Sequence, residues 1–130
     1  MGVQKKSGVS EKSQTDFIYK KTYQYPVGNT PVGANCFGDC NFRNYVNYKK
    51  LLSRGNGHSK IAFTKKGING LYDMGANVWE WADIDNSEIK ATKGGSWWYG
   101  KEQMHIKHQA RKDKKMSAVY IGFRCVKNLK

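Results

Sequence analysis

Five of the chain's ten acidic residues, Asp73, Glu80, Asp83, Asp85 and Glu88, fall within 16 positions. Carboxylates at short, irregular spacing on glycine-containing loops are what a hard cation such as Ca²⁺ needs, with backbone carbonyls completing the shell. Asp73, Ala76, Val78 and Glu80 would supply two carboxylates and two carbonyls to one such ion. The spacing is not that of an EF-hand loop, which needs ligands at alternate positions and a terminal Glu. In a chain with 23 basic residues the same acids serve equally well as ion-pair partners. A second group of chemically able residues lies in Gly94–His108 (GGSWWYGKEQMHIKH). Ser96, Trp97, Trp98, Tyr99, Met104, His105 and His108 would make a recognition surface, because aromatic side chains give contact area at low entropic cost. His105 and His108 would also share a helical turn as two metal ligands, but the sequence offers no third. There is no nucleophile elbow, phosphate-binding glycine loop, His-Glu-x-x-His or Cys-x-x-Cys, and so no catalytic centre that spacing alone defines. The cysteines are Cys36, Cys40 and Cys125. Cys36 and Cys40 either close a small loop or stay reduced, and Cys125, in an apolar alternating run, reads as a buried small hydrophobe.

The elements that must position these residues are short. Gly70–Trp81 (GLYDMGANVWEW) ends in strand-like alternation, with Trp79 and Trp81 on one face and Val78 and Glu80 on the other. Lys93–Tyr99 opens with Gly94-Gly95, which permits a bend or close backbone approach, and runs on into aromatics. Strand alternation there would bury one of Trp97 and Trp98 and expose the other. Ala118–Val126 (AVYIGFRCV) is the clearest strand, placing Val119, Ile121, Phe123 and Cys125 on one face. Gly100–Met116 is polar, basic and aperiodic. Tyr23–Asn35 is dense in turn formers, and a helical turn is expected around Tyr45–Leu52. Residues 1–21 read as a polar, basic lead-in, and 22–130 as one domain. Taken together this is a loop-rich β or α+β domain.

At 130 residues the chain has the size of one domain, with aromatics at 13% and only 38% hydrophobic residues, so its core must rest on Trp, Tyr and Phe. No apolar run approaches the ~18–20 residues of a membrane span, and residues 1–21 lack the apolar stretch of a secretory signal, so a cytoplasmic location is the default expectation. The net charge of +13 invites acidic partners, nucleic acid first. However, the only arginines are Arg43, Arg54, Arg111 and Arg124, whereas phosphate and base recognition prefers the planar guanidinium. A Lys-, Asn-, Tyr- and Ile-rich chain is also what AT-rich coding yields, so nucleic-acid binding is possible but not the favoured reading.

Four blocks in order, YPVGN followed by GANC, then GLYDMGANVWEW, KGGSWWYG and YIGFRCV, closely resemble the C-terminal half of the formylglycine-generating-enzyme (sulfatase-modifying factor) family. The resemblance implies a variant of the C-type lectin fold, α+β and loop-rich. It implies structural calcium held by Asp73 and Glu80 side chains and the Ala76 and Val78 carbonyls. A second family calcium site would begin at Asn35 and the Cys36 carbonyl, but its later aspartate has no clear counterpart in residues 53–58. The family's redox cysteine pair falls on Tyr99 and Met104, which cannot supply a thiolate pair, so copper and its O₂ chemistry are not expected. What remains is a non-catalytic module binding a protein or peptide through Ser96–His108. The alternative is a divergent metal-dependent oxidoreductase using His105 and His108. Because the chain starts just ahead of the YPWGN-like turn, it also resembles half a domain. That implies pairing with a separate N-terminal half or with itself, and stability that depends on calcium.

Overall fold

The computed structural model describes residues 22–43, 45, 56–83 and 88–129. The turn expected over Tyr45–Leu52 lies almost wholly outside them, as does the lead-in through residue 21. Among the described residues the regular structure is one small mixed sheet: β1 (Trp79–Ala82), β2 (Ile89–Lys93), β3 (Ala110–Asp113) and β4 (Ile121–Gly122), with a single 3-10 turn at Lys101–Met104. The strands lie in the order β3-β2-β1-β4. β1 runs antiparallel to β2, with Trp81 opposite Thr92, and parallel to β4, with Glu80 opposite Gly122. β2 and β3 are antiparallel, with Ala91 opposite Arg111.

β1 follows from the Trp-Glu-Trp alternation: Trp79 turns into the protein and is 1% exposed, whereas Glu80 keeps partial access to solvent. β2 precedes the glycine pair instead of following it. Gly94 and Gly95 take φ of +93° and +74°, and a Cβ on Gly94 would stand 2.8 Å from the Met74 carbonyl oxygen. Only glycine combines that backbone with that approach. The chain therefore turns at the pair, and residues 96–99 form a tight turn, not a strand. Trp97 is still fully buried, but Trp98 is half-buried and not exposed, and the turn, not strand alternation, divides them.

Two further expectations are corrected. The stretch 100–116, aperiodic in sequence, contains both the 3-10 turn and β3, whose Ala-Arg-Lys-Asp alternation puts Ala110 and Lys112 half inside at a charged sheet edge. Ala118–Val126 pairs only over Ile121–Gly122. Its apolar face is covered only at Ile121, which is half-buried, among the described residues: Val119 is 53% and Phe123 76% exposed, and Cys125 is exposed with a free thiol. Apolar alternation signals a strand able to bury one face, but burial also requires a neighbour to cover it.

The core sits in the loops beside the sheet. Tyr25, Val27, Ala34, Cys36, Cys40, Ala76 and Met104 form one buried cluster, closed by a Cys36–Cys40 disulfide. Buried irregular backbone must find hydrogen-bond partners without a ladder, and asparagines supply many of them. Asn35 Nδ2 donates to the Gly57 carbonyl (2.9 Å) and to Asn77 Oδ1 (3.1 Å), which also accepts from the Ser59 N–H at 2.8 Å. The Asn77 N–H donates to the Asn35 carbonyl at 2.9 Å and the Trp97 N–H to the Asn77 carbonyl at 2.8 Å. Asp73, Ala76 and Asn77 all have φ near +60°, so GLYDMGANV enters β1 through a left-handed bend.

Candidate ligand-binding surface

β1 and the turn after Gly95 bring together a continuous aromatic group. The Trp79 ring lies 5.8 Å from both Tyr99 and His108, Tyr99 lies 5.7 Å from Tyr120, and Tyr120 lies 5.6 Å from Trp98. Trp97 continues the group inward, 5.2 Å from Trp98. Trp79 and Trp97 form its buried floor, while Trp98, Tyr99, His108 and Tyr120 are half-exposed. The pairs are edge-on or tilted, as ring quadrupoles prefer. From β3, the Lys112 ammonium lies 5.2 Å from the Trp79 ring centre, and burial lowers its pKa. The surface therefore offers π faces, one imidazole, two phenols and a partly desolvated cation.

The residues singled out from sequence divide between this surface and the interior. Trp98, Tyr99 and His108 lie at the surface, with Trp97 beneath. Ser96 is buried, and its Oγ accepts from the Trp98 N–H at 3.3 Å, so it shapes the turn that presents Trp98. Met104 is 1% exposed, and its Sδ packs 3.8 Å from Cys40 Sγ. His105 turns toward Tyr25, ring centres 5.8 Å apart. The two histidine rings thus pack against different neighbours. Among the described residues no three His, Cys, Asp or Glu side chains converge as metal ligands. Sequence reasoning missed Trp79, Lys112 and Tyr120. Trp79 carried a signal, since strand alternation set it opposite Glu80; Lys112 and Tyr120 come near the group only through sheet pairing.

The two carboxylates expected to hold calcium, Asp73 and Glu80, accept hydrogen bonds from protein donors. Asp73 accepts from the Ala62 N–H (2.9 Å) at one oxygen and from the Thr64 hydroxyl (2.6 Å) at the other. Both oxygens of Glu80 accept from Arg124, with Nε at 2.7 Å, and Arg124 Nη2 also donates to the Tyr72 carbonyl at 3.0 Å. The hydrogen bond to Glu80 is the main cause that raises the Arg124 pKa, and the charge of Asp73 adds to it. The Glu80 carboxylate and the Tyr72 carbonyl together match the planar fork of a guanidinium and its further N–H.

No helix among the described residues is long and apolar enough to cross a membrane. Comparison with curated proteins gives no match. Among solved structures, the variable protein 1 of Treponema denticola is similar at 23% sequence identity and a TM-score of 0.47, over 62% of this chain. The match covers 34% of that protein, so this chain spans about a third of its length. The sulfatase-modifying factor enzyme 1-like domain matches residues 9–129, and with nearly the whole chain covered, the protein belongs to that family.

Proposed function

We propose that this chain is a non-catalytic binding module of the family, with a C-type-lectin-like arrangement of loops around its small sheet, and that it takes a protein or peptide ligand on the aromatic surface of Trp98, Tyr99, His108 and Tyr120. The observation that carries the reading is the aromatic group itself: half-exposed rings stand on a buried Trp79–Trp97 floor and are held by a tight turn. Rigid aromatic anchors of this kind dominate binding energy in protein recognition. Lys112 beside the rings adds a preference for ligands that carry a carboxylate near an apolar or aromatic side chain. Met104, where the family's second redox cysteine would fall, is sealed in the core, and Tyr99 is part of the ring group. Neither position offers a thiolate, which supports a binding role over oxidation.

Two experiments test this. An oxidation assay on a Cys-x-Pro-x-Arg peptide with added copper is expected to give no turnover; turnover would overturn the non-catalytic reading. Selection of a displayed random-peptide library on the wild-type protein is expected to enrich aromatic, acidic sequences. Their affinity should fall at least about tenfold in Trp98→Ala and in Tyr120→Ala, the loss of about 1.4 kcal/mol or more typical of an anchor. Enriched peptides that bind both variants as well as wild type would place the binding surface elsewhere.

A further inference from the structure

The Arg124–Glu80 contact does more than pair two charges. Glu80 lies in the middle of the sheet, on β1, with its side chain only 17% exposed. Tyr72 and Asp73 belong to the left-handed bend that leads into β1. Arg124 lies two residues beyond β4, in a segment without regular structure whose Phe123, Val126 and Leu129 are each at least 76% exposed. One guanidinium therefore ties three pieces of chain. It makes a two-pronged contact with Glu80, a third bond to the Tyr72 carbonyl, and acts electrostatically with Asp73. Two of these pieces, the bend and β1, are the ones that a cation ligated by Asp73 and Glu80 would tie.

The residue type agrees with that task. Lysine outnumbers arginine heavily in this chain, where only four arginines occur. An ammonium is a point charge, whereas a guanidinium offers a planar fork that matches a carboxylate and leaves a further N–H for a carbonyl. We infer that Arg124 is the resident cation of this acid pair: its guanidinium replaces a structural divalent metal between the Tyr72–Asp73 bend and β1, and ties the segment after β4 to both. Calcium would have to displace the guanidinium to reach Glu80, and would then release the C-terminal segment from the sheet.

The test is thermal unfolding and calorimetric titration with CaCl₂ on the wild-type chain, Arg124→Gln and Arg124→Lys, each after EDTA treatment. The wild type is expected to melt at the same temperature in EDTA and in millimolar CaCl₂, with no binding heat. Arg124→Gln is expected to melt several degrees lower and to regain part of that loss in CaCl₂, because the acid pair is left without a cation. Arg124→Lys is expected to fall between the two and to respond weakly to calcium, which keeps the comparison open if the glutamine variant does not fold. A calcium-dependent rise in the wild type that Glu80→Gln abolishes would overturn the inference. So would an Arg124→Gln protein that is as stable as wild type, or one that is destabilised but indifferent to calcium, since the contact would then be an ordinary ion pair. None of these outcomes depends on the aromatic surface, so the binding proposal stands or falls separately.

Discussion

Met104 and Cys40 show how single residues set the character of this domain. Both are essentially inaccessible, and their sulfurs are 3.8 Å apart behind the Cys36–Cys40 disulfide. Met is suited to such a gap, because its flexible, polarizable side chain fits between a disulfide and the backbone of Gly75, where an added Cβ would come within 3.1 Å of the Met104 Cε. Truncation removes those contacts and leaves a cavity the surrounding turns cannot close, being held by asparagine hydrogen bonds. Met104→Ala is therefore expected to destabilise by about 2–5 kcal/mol, read from urea unfolding midpoints. A loss under about 1 kcal/mol would mean that the site collapses freely and that the core is softer than its hydrogen bonding implies.

At the scale of elements, the sheet is small enough that its turns decide its shape. β2 stops at Gly94-Gly95 because the next residues must pass against the Met74 carbonyl and then against Gln103 and Met104. Gly94→Ala adds a methyl at 2.8 Å from a backbone oxygen as well as forcing φ +93° on a residue with a side chain. Gly38 is the natural control, since its φ is +82° but a Cβ added there would meet nothing within 4 Å. Gly38→Ala should cost roughly the 1–2 kcal/mol of left-handed backbone strain. Gly94→Ala should cost more and also weaken peptide binding, because the displaced turn carries Trp98. Equal melting temperatures for the two variants would show that the close approach to Met74 is not what shapes this turn.

For the whole molecule, the balance of exposed groups matters more than any one of them. Val119, Phe123, Val126 and Leu129 are all more than half exposed along one short segment beside a two-residue edge strand. Edges and apolar faces of this kind pair with other chains unless charge prevents it. The net charge of +13 opposes association at low salt, and screening weakens that opposition as ionic strength rises. Sedimentation is therefore expected to show a monomer at low salt and concentration-dependent association at high salt, reversed by Phe123→Glu. A protein that remains monomeric at high salt and high concentration would show that this segment is not an association surface. Weak, salt-sensitive nucleic-acid binding would follow from the same charge and carries no specificity.

Some of this was legible in the residues themselves. The turn-forming and aromatic blocks carry family membership, because glycines at special backbone positions and tryptophans on a short strand leave few alternatives. The loop-rich class with short strands was legible for the same reason, as was the burial of one of Trp97 and Trp98. Which groups meet across the fold was not. Sequence spacing gathered Asp73, Ala76, Val78 and Glu80 around a cation, but gave no sign that Glu80 meets Arg124, brought by the parallel pairing of β4 with β1 from 44 residues away. Ser96–His108 read as one surface, yet a 3-10 turn sends Met104 inward and His105 toward Tyr25. In their place the sheet delivers Trp79, Lys112 and Tyr120. Local pattern reports what a residue can pair with, whereas the long-range hydrogen bonds of strands and buried asparagines decide which partners the fold brings within reach.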